Sequence, residues 1–375
     1  MDRRQFIVTS SAFALAGCLS EHKAVAQWRP FVGTRRVRAA QWGMCHEHAE
    51  GVMHSLKALK DDFEIVGVVD DRASKAPRRT MPYGVFDDVP RLTPEQLLAD
   101  RSIQCVFVEV SNDDLIPVAW RCARQGLAMH LDKPCGQELA PFCELSAYCR
   151  ERGIPLQLGY MFRTNPAIRF CQKAVAEGWL GDVNFVEADM NHGYGGEEYD
   201  VYNATFRGGI MYNLGCHLID FILPFFGDRE PRSVHPALLP AAPSPAESMS
   251  NCAALLEWEH GMALVRGCSR TPNGNPWRRL RIDGTKGMID LCPVERFDGK
   301  PLTLKMYLME GAPGYAGGTH TVDFGVQTDR YAGQLREFAD VIRGIRPNDD
   351  LSAHDELVHR VTLRACALPS MKRKW

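Results

Sequence analysis

Two short segments of this chain carry side chains able to bind a hydroxyl group and move its proton. The first is His130-Leu131-Asp132-Lys133-Pro134, at the end of an apolar run that reads as a buried strand. Ligands of parallel sheets bind outside the carboxyl ends of the strands, so a lysine at that edge, followed by a proline that fixes the chain, points its ammonium into a crevice. The second is Gly208-Gly209-Ile210-Met211-Tyr212-Asn213-Leu214-Gly215-Cys216-His217-Leu218-Ile219-Asp220. Asn213 and His217 are four apart and would share one face of a helix. Asp220, three residues beyond His217, is placed to orient or cap rather than react. Taken singly, a lysine at a strand end is often a surface residue and a helical histidine is often structural. The pair makes catalytic candidates of Lys133, His217 and Asn213.

Alternating strands and helices must position them. Val37 to Trp42 forms a first strand, and Ala49 to Leu59 a helix with Val52, Met53, Leu56 and Leu59 on one face. Glu64 to Val69, Cys105 to Val108 and Ala128 to Leu131 are short apolar runs suited to buried parallel strands. Thr93-Pro94-Glu95 is a helix start, with Thr93 as cap and Pro94 in the first turn. The pattern predicts an α/β N-terminal domain of the Rossmann type, a parallel doubly wound sheet. Further on, Leu255 to Glu259 and Met262 to Val265 flank His260-Gly261 and read as two strands joined by a tight turn.

In a doubly wound sheet the turn after the first strand seats a pyrophosphate on a helix N-terminus. Here it reads Gly43-Met44-Cys45-His46-Glu47-His48, with a single glycine, so the glycine fingerprint is weak. Asp70 closes the second strand about 20 residues beyond the turn, where an acid accepts ribose hydroxyls. Its charge favours NAD over NADP, while Arg72 leaves NADP open. Gly43, Met44, Cys45, His46, Asp70, Glu109 and Lys133 are the expected cofactor contacts. The His46-x-His48 pair lacks a third ligand in the sequence, so no metal site is expected.

At 375 residues, with 45% hydrophobic and 24% charged residues, the chain fits two globular domains. A formal charge of −2 gives no reason to expect nucleic acid or an anionic membrane surface. Pro236 to Ser248 reads as an inserted loop. The 13 cysteines are scattered, without a Cys-x-x-Cys pair, and suit small core residues better than disulfides or structural zinc. Arg3-Arg4-Gln5-Phe6-Ile7 before the apolar run Val8 to Gly17 has the shape of a twin-arginine export signal. Two processing sites compete: a lipoprotein-like box ending at Cys18, which would carry a lipid anchor, and cleavage after Ala26. Folding before export would let the protein carry a tightly bound dinucleotide out to the periplasm or envelope.

The chain resembles the glucose–fructose oxidoreductase, inositol dehydrogenase and rhizopine-catabolism (Gfo/Idh/MocA) family. Asp132-Lys133-Pro134 is similar to its Glu-Lys-Pro motif, and the glycine pair leading to Gly215-Cys216-His217-Leu218-Ile219-Asp220 to its second catalytic motif. Tyr160 to Pro166 resembles its domain junction, and Ile282 to Gly287 a hairpin of its C-terminal sheet. The resemblance implies a second, α+β domain with a large open, mainly antiparallel sheet that commonly forms dimers or tetramers. It assigns residues 34–155 to the nucleotide domain and 156–375 to the substrate and oligomerisation domain, after a signal over 1–26. It implies that Lys133 binds the substrate hydroxyl and nicotinamide ribose and that His217 is general base in hydride transfer from a sugar or cyclitol. Arg163 and His192 join Asn213 and His217 as expected substrate contacts. Asn213 departs from the family's aspartate, and an amide cannot share an imidazolium's proton or balance its charge. Two alternatives accompany this reading: a redox-neutral NAD-using enzyme acting on glycosides, and a sugar-binding homologue without turnover.

Overall fold

The computed structural model describes residues 28–31, 36–71, 83–193, 196–368 and 370. The expected export signal, with Cys18 and Ala26, and the expected NADP residue Arg72 lie outside the described residues.

The first domain is a six-stranded, wholly parallel sheet. Its strands are β1 (Val37–Trp42), β2 (Phe63–Val69), β3 (Arg91–Leu92), β4 (Cys105–Val108), β5 (Ala128–Leu131) and β6 (Leu156–Leu158), in the order β3-β2-β1-β4-β5-β6. Every residue of β4 and β5 is buried, as continuous apolar strands must be when helices cover both faces. Those helices include α1 (Ala49–Ala58), α2 (Pro94–Ala99), α3 (Asn112–Ala123) and α4 (Leu139–Arg152). At α2, Thr93 accepts from the Gln96 amide while the Gln96 side chain accepts from the Thr93 amide, a reciprocal capping box. The sheet extends three residues past the expected boundary at 155, because β6 pairs with β5.

The second domain carries α5 (Pro166–Ala176), α6 (Glu197–Ala204), α7 (Cys216–Ile222), α8 (Ala332–Ile342) and α9 (Ser352–Ala365). Its eight strands are β7 (Val183–Asn191), β8 (Ser233–Leu239), β9 (Asn251–Glu257), β10 (Met262–Cys268), β11 (Arg279–Gly284), β12 (Gly287–Leu291), β13 (Pro301–Leu308) and β14 (Gly318–Val326). They run in the order β14-β13-β12-β11-β7-β10-β9-β8, antiparallel except for the β7–β10 pair. In β13, Leu302, Leu304, Met306 and Leu308 face the core while Lys305 and Tyr307 face outward, the period-two pattern of a sheet covered on one side. The fold class is therefore the one expected. The expected loop from Pro236 is a strand as far as Leu239, since Pro236 pairs with Ala254 on an edge strand, where a missing N–H costs no ladder bond. The twelve described cysteines are all free thiols, and all but Cys292 are buried.

Candidate active site

The strand order reverses between β1 and β4, and the crevice at their carboxyl ends collects the candidate residues. Gly43 follows β1 with φ +112°, and a Cβ there would meet the Glu109 carbonyl oxygen at 2.0 Å. Only glycine passes that close to the neighbouring strand in this conformation. Beyond it, the backbone amides of Met44 and Cys45 both donate to Asp71 Oδ1, at 2.8 and 3.2 Å. Paired amides aimed at one carboxylate oxygen are an anion cradle, so the turn fits a phosphate despite its poor glycine count, with Asp71 standing where a phosphate oxygen would lie. Asp70, the expected ribose acceptor, ends the adjoining strand half-buried. Asp71 carried no such expectation in the sequence, where the acid before it fits the usual spacing better.

Glu109 corrects an expectation. It meets the turn through its backbone carbonyl, while its carboxyl group is fully buried, 3.9 Å from His130 Nε2 and without a hydrogen-bond partner. Burial first, then the charge of Asp132, raises its pKa well above the usual carboxylate range, so it sits in the interior as a neutral acid rather than as an ionised nucleotide contact.

Lys133 is 1% exposed. Its Nζ donates to the Asn213 carbonyl oxygen at 2.8 Å and lies 3.4 Å from Asn213 Oδ1. The loop carrying it is tied to α3, since Asn112 Nδ2 donates to the Pro134 oxygen at 2.7 Å. Asn213 lies in a widened π-helical turn, Met211–Gly215, that runs into α7; such turns recur at functional sites because they re-aim side chains. Its amide donates to the Tyr199 hydroxyl at 3.2 Å, a partner from α6 that no spacing in the sequence signals.

His217 begins α7 and is buried, with Tyr160 and Phe162 packed edge-on against its ring at centroid distances of 5.7 and 5.4 Å. Neither ring nitrogen has a hydrogen-bond partner. Burial, then Lys133 and His48, hold its pKa well below the ordinary value. The arrangement is a neutral imidazole, oriented by aromatic contacts, with a free lone pair near a lysine ammonium. It can accept a proton from a hydroxyl that Lys133 binds. Tyr160, which also lies under the Arg163 guanidinium, is a packing aromatic here.

Arg163, an expected substrate contact, has its guanidinium engaged by two carboxylates. Its guanidinium bonds Asp220 through Nε at 2.9 Å and Nη2 at 2.6 Å, and Asp355 of α9 at 2.6 Å. Asp220 also meets His354 Nε2 at 3.1 Å. This buried ion cluster joins the domain junction to α7 and α9 and turns its charges on one another. His192 follows β7, with Nδ1 2.9 Å from Arg278 Nη2. Burial and Arg278 drive its pKa far down, and Lys133 and His48 are among the charges acting on it. It is a buried neutral ring held against Arg278.

His46 and His48 are drawn to a residue the sequence did not connect with them. Each places Nδ1 3.0 Å from a different oxygen of Asp132. Asp132 is thereby kept well below the usual carboxylate range, the histidines outweighing burial, which acts the other way.

The fold defines the class of architecture: a Rossmann-type parallel-sheet domain joined to an open, mainly antiparallel sheet domain. Within that class, residues 168–290 match the model of the GFO/IDH/MocA C-terminal domain. Trans-1,2-dihydrobenzene-1,2-diol dehydrogenase of Sus scrofa is 23% identical over 243 residues, 63% of this chain and 70% of that protein. Aldose–aldose oxidoreductase of Caulobacter crescentus, solved with glycerol, superposes with a TM-score of 0.70 at 20% identity, covering 89% of this chain and 98% of the other. An oxidoreductase of Agrobacterium radiobacter, solved with NAD+, L-tartaric acid and magnesium, has a TM-score of 0.70 at 17% identity, covering 89% and 97%. At these identities the likeness to the solved structures is one of fold.

Proposed function

We propose that this protein is an NAD(P)-dependent oxidoreductase that takes hydride from a hydroxyl-bearing carbon of a sugar or cyclitol. The observation that supports this reading is that buried Lys133, at the carboxyl end of β5, bonds Asn213, and that its charge acts on the buried, unpartnered His217 ring. Gly43 and the amides of Met44 and Cys45 would hold the pyrophosphate once Asp71 moves aside, and Asp70 the ribose, which favours NAD. The nicotinamide supplies the hydride acceptor. Lys133 donates a hydrogen bond to the substrate oxygen and steadies its growing negative charge. His217 takes the hydroxyl proton on a ring nitrogen, so carbonyl formation leaves one proton on the protein. Asn213 anchors Lys133 through its carbonyl, and its side-chain amide stays polar but uncharged.

The exported state is part of the same proposal: a twin-arginine signal over residues 1–26, a retained cofactor, and lipidation at Cys18 competing with cleavage after Ala26. Fusing residues 1–26 to a folded reporter and locating it in cells with and without the twin-arginine route tests it. Dimers or tetramers through the open sheet are the expected assembly, read by sedimentation.

The enzymatic reading is tested on purified protein, dialysed exhaustively and supplied with NAD or NADP. Growth of reduced-nicotinamide absorbance with one member of a panel of sugars, cyclitols and glycosides supports it. Release of free sugar from a glycoside without net cofactor change would point to redox-neutral chemistry. Failure to bind either dinucleotide would overturn both.

A further inference from the structure

We propose that His46, His48 and Asp132 form a binding site for a divalent cation of the zinc class, bridging the turn after β1 to the end of β5. The three ligand atoms, two imidazole nitrogens and a carboxylate oxygen, lie within 4.8 Å of one another. Their side chains are 5, 15 and 3% exposed. Zinc binds imidazole nitrogen and carboxylate oxygen at about 2.0–2.2 Å in tetrahedral geometry, which puts neighbouring donors roughly 3.3–3.5 Å apart. The two Nδ1–Oδ distances of 3.0 Å are within a few tenths of an ångström of that spacing. An imidazole ligand needs its other nitrogen fixed by a hydrogen bond, and His46 Nε2 lies 3.3 Å from the Tyr202 hydroxyl.

A second observation points to the same ion. The Glu109 carboxyl is fully buried with both oxygens unpartnered, and the nearby charges acting on it are Asp132 and Lys133. The charge of Asp132 helps to keep Glu109 neutral, and a dication beside Asp132 would offset that buried negative charge. The Lys133 ammonium, which donates to the Asn213 carbonyl, acts on His48 as well, and its charge works against the ion. The sequence shows only a His-x-His pair; the third donor arrives from 84 residues along the chain. Joined to Asp132, the cation braces the residue directly before Lys133 and so sets where the lysine points. The competing arrangement has no metal: His48 Nδ1 is bonded to Asp132 Oδ1 at 3.0 Å, and the His48 backbone N–H donates to His46 Nδ1 at 3.3 Å.

The site is tested without turnover, so its failure is distinguishable from failure of the oxidoreductase reading. Chelator-treated full-length protein is titrated with Zn²⁺ and, separately, Co²⁺. Uptake of one ion per chain, with Co²⁺ visible absorption of nitrogen–oxygen ligation, is expected. His46→Ala and His48→Ala should each weaken uptake by at least tenfold, while His54→Ala, an exposed histidine of α1, should leave it unchanged. Circular dichroism checks that each variant is folded, and His48→Gln, closer in size, replaces any that is not. Absence of stoichiometric uptake by the wild-type protein, or equal uptake by folded His46 and His48 variants, overturns the proposal in favour of the metal-free clamp.

Discussion

Lys133 Nζ and the Asn213 backbone oxygen lie 2.8 Å apart across 80 residues of sequence. The bond fastens the end of the parallel sheet to the π-helical turn of the second domain, one turn before His217. A backbone acceptor is a deliberate choice of partner, because it holds the lysine without neutralising it. With a second, longer bond to Asn213 Oδ1 at 3.4 Å, the ammonium keeps one further N–H for a ligand.

Replacing Lys133 by alanine removes that donor and should lower kcat by about 10²–10⁴-fold, the usual range for a positioned proton-handling group. The Asn213 carbonyl loses its partner, so a stability loss of about 1–3 kcal/mol should accompany it. Steady-state kinetics beside a thermal melt separates the two. Full activity in a folded Lys133→Ala protein would remove the lysine from the site.

Asn213→Asp puts a carboxylate one helical turn from His217. Burial, Lys133 and His48 hold that imidazole well below its ordinary value, so it is neutral through the physiological range. A nearby negative charge favours the imidazolium and raises the pKa. The acid limb of kcat/KM should therefore move up by about one pH unit. A pH–rate profile unchanged by the substitution would mean that His217 is not the group whose protonation limits the reaction.

Arg163 distinguishes a substrate contact from a structural ion. Its guanidinium is shared between Asp220 and Asp355, and removing one partner of a buried pair strands the others. Arg163→Ala should cost about 3–5 kcal/mol in denaturant unfolding. Arg163→Lys, which keeps the charge but loses the fork, should lower the melting temperature while leaving KM unchanged. A selective rise in KM at unchanged stability would return the arginine to the substrate site.

His354 makes stability pH-dependent. Burial alone would lower its pKa, but hydrogen bonds to Asp220 and Asp228 outweigh this and raise it to about 9. A folded-state value above the unfolded one means the protonated ring stabilises the fold, fully below pH about 6.5 and progressively less as pH rises through about 9. The unfolding free energy of wild type minus that of His354→Gln should be on the order of 2 kcal/mol at pH 6 and shrink toward pH 10. A difference constant over that range would show that the ring's charge contributes nothing.

The elements that build the first domain were legible because their signals are local. The strand Val37–Trp42, the cap at Thr93 and the runs Cys105–Val108 and Ala128–Leu131 need only their own residues to specify a period or a helix start. Position along a strand also carries Lys133, since the carboxyl end of a buried parallel strand opens on a crevice whatever surrounds it. The edge strand at Pro236 was missed because proline is a strand breaker everywhere except where one side of the ladder is empty, a fact of sheet order.

The charge partnerships were not legible. Arg163 faces Asp220 and Asp355, His46 and His48 face Asp132, and Asp71 faces the amides of Met44 and Cys45. Each pair is separated by 26 residues or more, and an ion or hydrogen bond acts over a few ångströms only. By itself, then, the sequence determined the strands, the helix starts and the two motifs, because backbone preference and hydrophobic periodicity act between near neighbours. Which acid meets which base was decided only when the chain closed on itself, and those meetings turned Arg163 into a brace and brought His46 and His48 onto Asp132.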